Sequence, residues 1–267
     1  MSAVITTDCQ KSRIAQQFSR AAKSYDSAAK VQLDIATDAL DLVIGSTGTL
    51  LDIGCGTGRN SPALANKCER LIALDLAFGM LSYAQSNSAV DGHNTSWLQG
   101  DAEHLPIQNY SVDRLFSSMV LQWCGDQHKV MSEVNRVLTN GGQAVLAIMC
   151  DGSFSQLNQS WLHLDKNKHV NDFAKAQVWQ QAGLAQGLKV KVSKKQYVTW
   201  HADLRQLLSS IKAIGANVVL PKQEGSGLKR FNRHTLQNLE TVYHELFAEN
   251  GQLPLTYQVC YLQCIKN

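Results

Sequence analysis

Residues 50–60 read LLDIGCGTGRN, with glycines at 54, 56 and 58 directly after a short apolar run that carries Asp52. Glycine gives up more backbone freedom on folding than any other residue, so three in five positions mark a backbone requirement. An apolar run turning through glycines into a helix-forming stretch reads as the first strand–loop–helix unit of an open α/β sheet. Ligands of such sheets bind at the carboxyl ends of the strands, where this loop passes. The spacing D-x-G-x-G-x-G therefore predicts a ligand cradle, with Gly54, Gly56 and Gly58 keeping Cβ atoms out of the ligand's space.

The same texture continues downstream. Strand-like runs occur at 50–53, 70–74, 95–98, 112–117, 143–149, near 189–199 and at 257–265. Helix-like segments at 59–66, 77–86, 127–138 and 172–182 fall between them. Alternation of this kind predicts an α/β fold: a mostly parallel seven-stranded sheet with helices on both faces. Residues 10–45 are alanine-rich with apolar positions at three- and four-residue spacing, which predicts N-terminal helices. Between 200 and 250 the strand pattern stops. LRQLLSSIKAIGANVV and RHTLQNLETVYHELF read as amphipathic helices joined by PKQEGSGLKRFN, whose Pro221, Gly225, Ser226 and Gly227 suit a mobile loop. They are expected to form a helical cap insertion before the last strand; the alternative is helices packed plainly on the outside. One domain, 1–267, is expected, with helices at 10–45, a ligand-binding core at 48–150 and the cap at 200–250.

At 267 residues and 44% apolar composition the chain can bury a full core. A net charge of +3 is too mild to argue for nucleic acid. No run approaches the roughly 18 apolar residues that span a bilayer, and MSAVITTDCQKSR lacks the apolar stretch of a secretory leader. The seven cysteines form no C-x-x-C pair, and the eight histidines show no metal-ligand spacing. Cys260 and Cys264 read as inward-facing core thiols. A reduced, cytoplasmic, metal-free protein without nucleic-acid or membrane partners is expected.

A dinucleotide loop is written G-x-G-x-x-G, but here Arg59 holds the sixth position. The spacing resembles instead the first motif of class I S-adenosylmethionine-dependent methyltransferases, a Rossmann-like fold. That resemblance implies a loop around the amino-acid end of S-adenosyl-L-methionine, with Asp52 nearby. Asp75, 23 positions after Asp52, then falls at the tip of the second strand, where a carboxylate can accept from both ribose hydroxyls. Leu76 and Met80, just beyond it, are assigned to the same pocket. Asp101 and Ala102 in GDAEHLP match the family's adenine-contacting element, and VDRLFSSMVLQW matches the fourth-strand motif, placing Ser117, Ser118 and Leu121 beside the cofactor. Helix N-capping would explain Asp75 and Asp101 singly but not the series. Asn140-Gly141-Gly142 departs from the family's usual proline before the glycine pair.

FSRAAKSYDSAAKVQ, VLQWCGD and LLSSIKAIGA are similar, over nearly the full length, to the malonyl-acyl-carrier-protein O-methyltransferases of biotin synthesis. The chemistry this implies is methyl transfer to the free carboxylate of a malonyl thioester on acyl carrier protein. A quinone-ring or small-acid methyltransferase, or a cofactor-binding protein without transfer activity, are the alternatives. Such a carboxylate is ionised at neutral pH and needs no general base, in keeping with a sequence offering no Ser-His-Asp or Cys-His arrangement. Tyr25, Gln122 and Trp123 are the candidate acceptor-side residues, and Lys23, Lys212, Arg230 and His201 the candidate cations. His104 and His128 are expected to be solvent-facing or capping. An acidic carrier would dock on Lys229, Arg230 and Arg233, in preference to the cluster Lys189, Lys191, Lys194 and Lys195.

Overall fold

The computed structural model describes residues 8–45, 48–87, 89–90, 94–165, 169–213 and 233–267. Seven strands form one sheet: β1 (Thr49–Ile53), β2 (Arg70–Asp75), β3 (Asn94–Gln99), β4 (Val112–Ser118), β5 (Leu138–Met149), β6 (Lys189–His201) and β7 (Leu253–Ile265). Their order is β3-β2-β1-β4-β5-β7-β6, with β7 antiparallel to both of its neighbours and the others parallel. The chain leaves β1 toward β2 on one side and later returns to β4 on the other, so a crevice opens at the carboxyl end of β1.

Strand periodicity of two sorts the side chains between two cores. Leu50 packs in a cluster with Ile35 of α2 (Lys30–Asp41), Trp161 of α6 (Ser155–Asp165), Leu207 of α8 (Leu204–Ala213) and Tyr243 of α9 (Arg233–Phe247). Leu51 and Ile53 point the other way, toward Val130 of α5 (Gln127–Val137) and Trp179 of α7 (Ala176–Ala185). Each fully buried Leu or Ile contributes about 1.5–3 kcal/mol, which makes both faces dry and the β1 register firm.

Several boundaries differ from the sequence expectation. The helix expected at 59–66 is shorter, α3 (Ser61–Ala65), because Pro62 suits only its first turn. The helix expected at 172–182 starts at Ala176, since Phe173 is held against the rings of Trp123 and Phe154. The last strand begins at Leu253 instead of 257. Pro254 lacks an N–H, yet it pairs only with Trp200 of β6, because β5 does not meet β7 before Val259. The Asn140-Gly141-Gly142 turn is drawn into β5, where Gly141 N donates to Lys266 O at 2.9 Å and Lys266 N to Gly142 O at 3.0 Å. Helix α6 was not expected: only Leu157, Ser160 and Trp161 of it are buried, too thin an apolar stripe to register.

The N-terminal segment forms α1 (Asp8–Ala28) and α2. Helix α1 crosses α4 (Phe78–Asn87) at Gly79, where an added Cβ would lie 2.7 Å from Ser19 Cβ. Gly79 N donates to Ser19 Oγ at 3.1 Å, so α1 satisfies a free N–H in the first turn of α4. Of the expected cap helices, α8 packs against α1, and α9 against α6 and β7. The joint PKQEGSGLKRFN lies outside the described residues.

Candidate active site

The crevice measures about 1100 Å³ counting its open mouth. Its floor is the β1–α3 loop, and α1 and α2 supply the facing wall. Gly54, Gly56 and Gly58 have φ of +76°, +56° and +75°, a region that side chains resist. Their reasons differ. A Cβ at Gly56 meets no protein atom within 4 Å, as a ligand cradle requires. A Cβ at Gly54 would lie 2.1 Å from a Val120 methyl, so that glycine lets β1 and the β4 loop approach each other. The expectation that each glycine clears space for the ligand is corrected at Gly54, where the neighbour is protein.

Asp75 ends β2 and faces the loop. Its Oδ2 accepts from Gly56 N at 2.9 Å and its Oδ1 from Ala77 N at 2.7 Å. Burial raises its pKa, and the N–H groups of Ala77, Gly56 and Leu76 oppose that rise. Asp52 sits behind the loop, 2% exposed. Burial, and then the charge of Asp75, push its pKa up to about 8.

Folding therefore favours protonated Asp52 relative to the unfolded chain, whose aspartates titrate near 3.9. Native protein binds the extra proton between about pH 4 and pH 8, so stability falls as pH rises through that window and levels off above it. Asp52→Asn, neutral and of the same shape, should gain stability over wild type, with a larger gain at pH 8.5 than at pH 5. The expected difference is of order several kcal/mol. Urea unfolding of ligand-free protein across that range checks this; an equal gain at both pH values would remove charge as the cause.

At the β3 side, Lys11 of α1 reaches Asp101 Oδ2 at 2.6 Å and Glu103 Oε2 at 2.7 Å. Burial lowers the Lys11 pKa, but its hydrogen bonds to Asp101 and Glu103 outweigh that and raise it overall. Glu103, 5% exposed, also accepts from Gly125 N at 2.7 Å and Asp126 N at 3.1 Å. One buried carboxylate thus joins α1 to the loop after the short 3₁₀ turn Leu121–Trp123. At the β1 side, Asp26 Oδ1 accepts from Thr57 Oγ1 at 2.7 Å and from Arg59 Nη2 at 2.9 Å, tying the N-terminal helices to the glycine loop.

Of the residues singled out in the sequence, Gly54, Gly56, Asp75, Leu76, Met80, Asp101, Ala102, Ser118, Tyr25 and Trp123 line this crevice. Asp52, Gly58, Ser117, Leu121 and Gln122 do not; they support it from behind. Ser117 Oγ donates to Ile53 O at 2.8 Å, stapling β4 to β1, and Leu121 is core. Gln122 Nε2 donates to Met119 O at 2.6 Å within its own turn. Met119 has a φ of +58°, so the turn holding Trp123 leaves β4 through a strained residue. Tyr25 is half-buried; burial, then Asp75, push its pKa up to about 12, so its hydroxyl stays a donor.

Lys23 and Lys212 are exposed, and buried His201, its pKa lowered by burial, pairs with Thr199 Oγ1 at 2.9 Å. None of these lines the crevice; among the described residues the cations that do are Lys11 and Arg59. Arg230 and Lys229 lie outside the described residues, and Arg233 is exposed at the start of α9. Sequence reasoning missed Lys11, Phe18 and Gln32. Gln32 left a trace, as a polar residue within the buried stripe Val31, Gln32, Ile35, Ala36, Ala39. Among the described residues no group of three or more His, Cys, Asp or Glu could hold a metal, and no helix is long and apolar enough to cross a membrane.

This sheet order, with a glycine cradle after β1 and an acid ending β2, defines a Rossmann-like class I methyltransferase. Residues 51–146 match the Methyltransferase domain family model. Among solved structures, the chain resembles the YcgJ protein of Bacillus subtilis at 20% identity (TM-score 0.63, 86% of this chain and 99% of that one). Phosphoethanolamine N-methyltransferase 2 of Haemonchus contortus, in complex with S-adenosyl-L-methionine, resembles it at 15% identity (TM-score 0.56, 92% of this chain and 56% of that one).

Malonyl-[acyl-carrier protein] O-methyltransferase of Yersinia pestis is 36% identical over 94% of this chain and 90% of its own length. The biotin biosynthesis bifunctional protein BioHC of Cellvibrio japonicus is 37% identical over 98% of this chain, which spans 51% of that longer protein. The chain belongs to the malonyl-[acyl-carrier protein] O-methyltransferase family. It is an S-adenosyl-L-methionine-dependent methyltransferase.

The crevice fits that cofactor by its own chemistry. Asp52 Oδ2, Ser118 Oγ and Gln32 Oε1 are buried without a hydrogen-bond partner, and Gly56 opens onto free space. Buried Asp52 and half-buried Asp75 beside the glycine loop suit a cationic ligand, because a positive charge nearby favours their ionised forms.

Proposed function

We propose that this enzyme methylates the free carboxylate of a malonyl thioester carried on acyl carrier protein, giving the malonyl methyl ester that starts pimeloyl and biotin synthesis. What carries this is similarity at 35–36% identity to proteins of that name across 94% of the chain, the cap region included.

The cofactor supplies an electrophilic methyl on a cationic sulfur. The chain's own part is to bind, orient and keep dry. Asp75 accepts from the ribose hydroxyls, the loop at Gly54–Gly58 receives the amino-acid end, and Asp101 with Ala102 takes the adenine. The malonyl carboxylate is already ionised at neutral pH and needs no base. Tyr25, held in its donor form, offers a hydroxyl to orient that carboxylate. Trp123 and Phe18, 6.1 Å apart edge to face, wall off water on the acceptor side together with Tyr25. Opposite charges partly cancel as the methyl moves, so a water-poor crevice favours the transition state over separated hydrated ions. In-line approach supplies the rest.

The acidic carrier docks on the basic cluster of Lys229, Arg230 and Arg233, through contacts that steer encounter and weaken with salt. The enzyme works in the cytoplasm as one domain over 1–267, with 200–250 as its cap.

Intact-mass measurement of malonyl-acyl carrier protein after incubation with enzyme and cofactor tests this. The expected result is a gain of one methylene on the malonyl group, with release of S-adenosylhomocysteine. Turnover only with a quinone ring or free small acid would overturn the acceptor. Binding of S-adenosyl-L-methionine without transfer to any of these would overturn the enzymatic role.

A further inference from the structure

Helix α2 buries Val31, Gln32, Ile35, Ala36 and Ala39, and within that stripe Gln32 is the single polar side chain. It is 8% exposed and lines the crevice, and its Oε1 has no hydrogen-bond partner. A buried acceptor left unmade costs about 1–3 kcal/mol, which an apolar residue at this position would avoid. The turn that presents Gln32 is fastened to the glycine loop: Ala29 O accepts from Arg59 Nη1 at 3.2 Å, and Asp26 Oδ1 holds Thr57 and Arg59. Gln32 therefore stands at the β1 end of the crevice, whereas Asp101 follows β3, two strands away. Of the carboxylates near this end, Asp75 is engaged by Gly56 N and Ala77 N and Asp26 by Thr57 and Arg59, while Asp52, whose Oδ2 is unpartnered, lies behind the loop and does not line the crevice. A charged ammonium group arriving here needs an oxygen that is still free.

We propose that Gln32 reads the amino-acid end of S-adenosyl-L-methionine, its Oε1 accepting a hydrogen bond from the α-ammonium group. This rests on that cofactor occupying the crevice. Gln32 thereby makes α2 part of the cofactor site and not merely its outer wall.

Calorimetric binding of two ligands separates this from a scaffold role. S-adenosylhomocysteine carries the ammonium and carboxylate; 5′-methylthioadenosine has the same nucleoside and sulfur but lacks the amino-acid end. Gln32→Leu should weaken S-adenosylhomocysteine by about tenfold or more and leave 5′-methylthioadenosine within about twofold. Gln32→Glu, which keeps an acceptor oxygen at the same reach, should hold S-adenosylhomocysteine within about threefold of wild type. Equal weakening of both ligands by Gln32→Leu, or of neither, overturns the proposal while the cofactor assignment stands. A loss with Gln32→Glu as large as with Gln32→Leu overturns the ammonium contact. Failure of wild-type protein to bind S-adenosylhomocysteine sinks the cofactor assignment itself.

Discussion

Asp75→Ala should abolish measurable cofactor binding without unfolding the protein. Its carboxylate serves two partners at once. Facing the crevice at the tip of β2, it is the acceptor proposed above for the ribose hydroxyls. Facing the protein, it accepts from Gly56 N at 2.9 Å and Ala77 N at 2.7 Å, which fixes the glycine loop and the entry to α4. Hydrogen bonds to a charged group are each worth about 1.5–3 kcal/mol, so losing two to the ligand weakens affinity on the order of 10²- to 10⁴-fold. Stability suffers less, because removing the carboxylate also removes the cost of burying its charge beside Asp52. Asp75→Asn keeps one acceptor oxygen and should fall between the two. Titration calorimetry with S-adenosylhomocysteine decides the matter; unchanged affinity in Asp75→Ala would take this residue out of the site.

Gly54→Ala should be the most destabilising single-methyl change in the crevice. The new Cβ would sit 2.1, 2.6 and 2.7 Å from the three branch atoms of Val120, and the φ of +76° is itself unfavourable for alanine. The backbone costs about 1–2 kcal/mol and the overpacking about 1–3 kcal/mol. Val120→Ala in the same chain removes the two methyls but keeps the Cβ at 2.7 Å, so it should return part of the packing cost and leave the backbone part, a coupling that a double-mutant cycle by urea unfolding reads directly. Gly56→Ala, with a φ of +56° and no neighbour within 4 Å, should cost only the backbone part. If Val120→Ala rescues nothing, steric contact is not why position 54 is glycine.

These two residues show which parts of the site could be read ahead of the structure. Asp52, the glycines and Asp75 belong to one strand–loop–helix–strand unit, whose geometry is set by short-range spacing. Their positions along the chain therefore carried their positions in space. Val120 is different: it comes from the loop after β4, and only the β1–β4 pairing brings it onto Gly54. Gln122 was expected to face the acceptor, but its amide donor is taken up by Met119 O, a contact created by the 3₁₀ turn. Lys11 meets Asp101 and Glu103 across 90 and 92 positions, and no local pattern announces such a partner.

The sequence by itself determined the alternation of strands and helices, the crevice at the end of β1 and the acids that ring it, because these follow from hydrophobic period and from glycine and aspartate at fixed offsets. Only the tertiary structure decided what closes the crevice. Helices α1 and α2 are amphipathic segments that could have lain on any apolar surface. Their seat is set by Gly79 against Ser19, Lys11 between two acids and Asp26 on Thr57 and Arg59. These contacts join residues 31 to 92 positions apart, beyond any local pattern, which is why Gln32, carried in on α2, could be seen as a residue but not as part of the site.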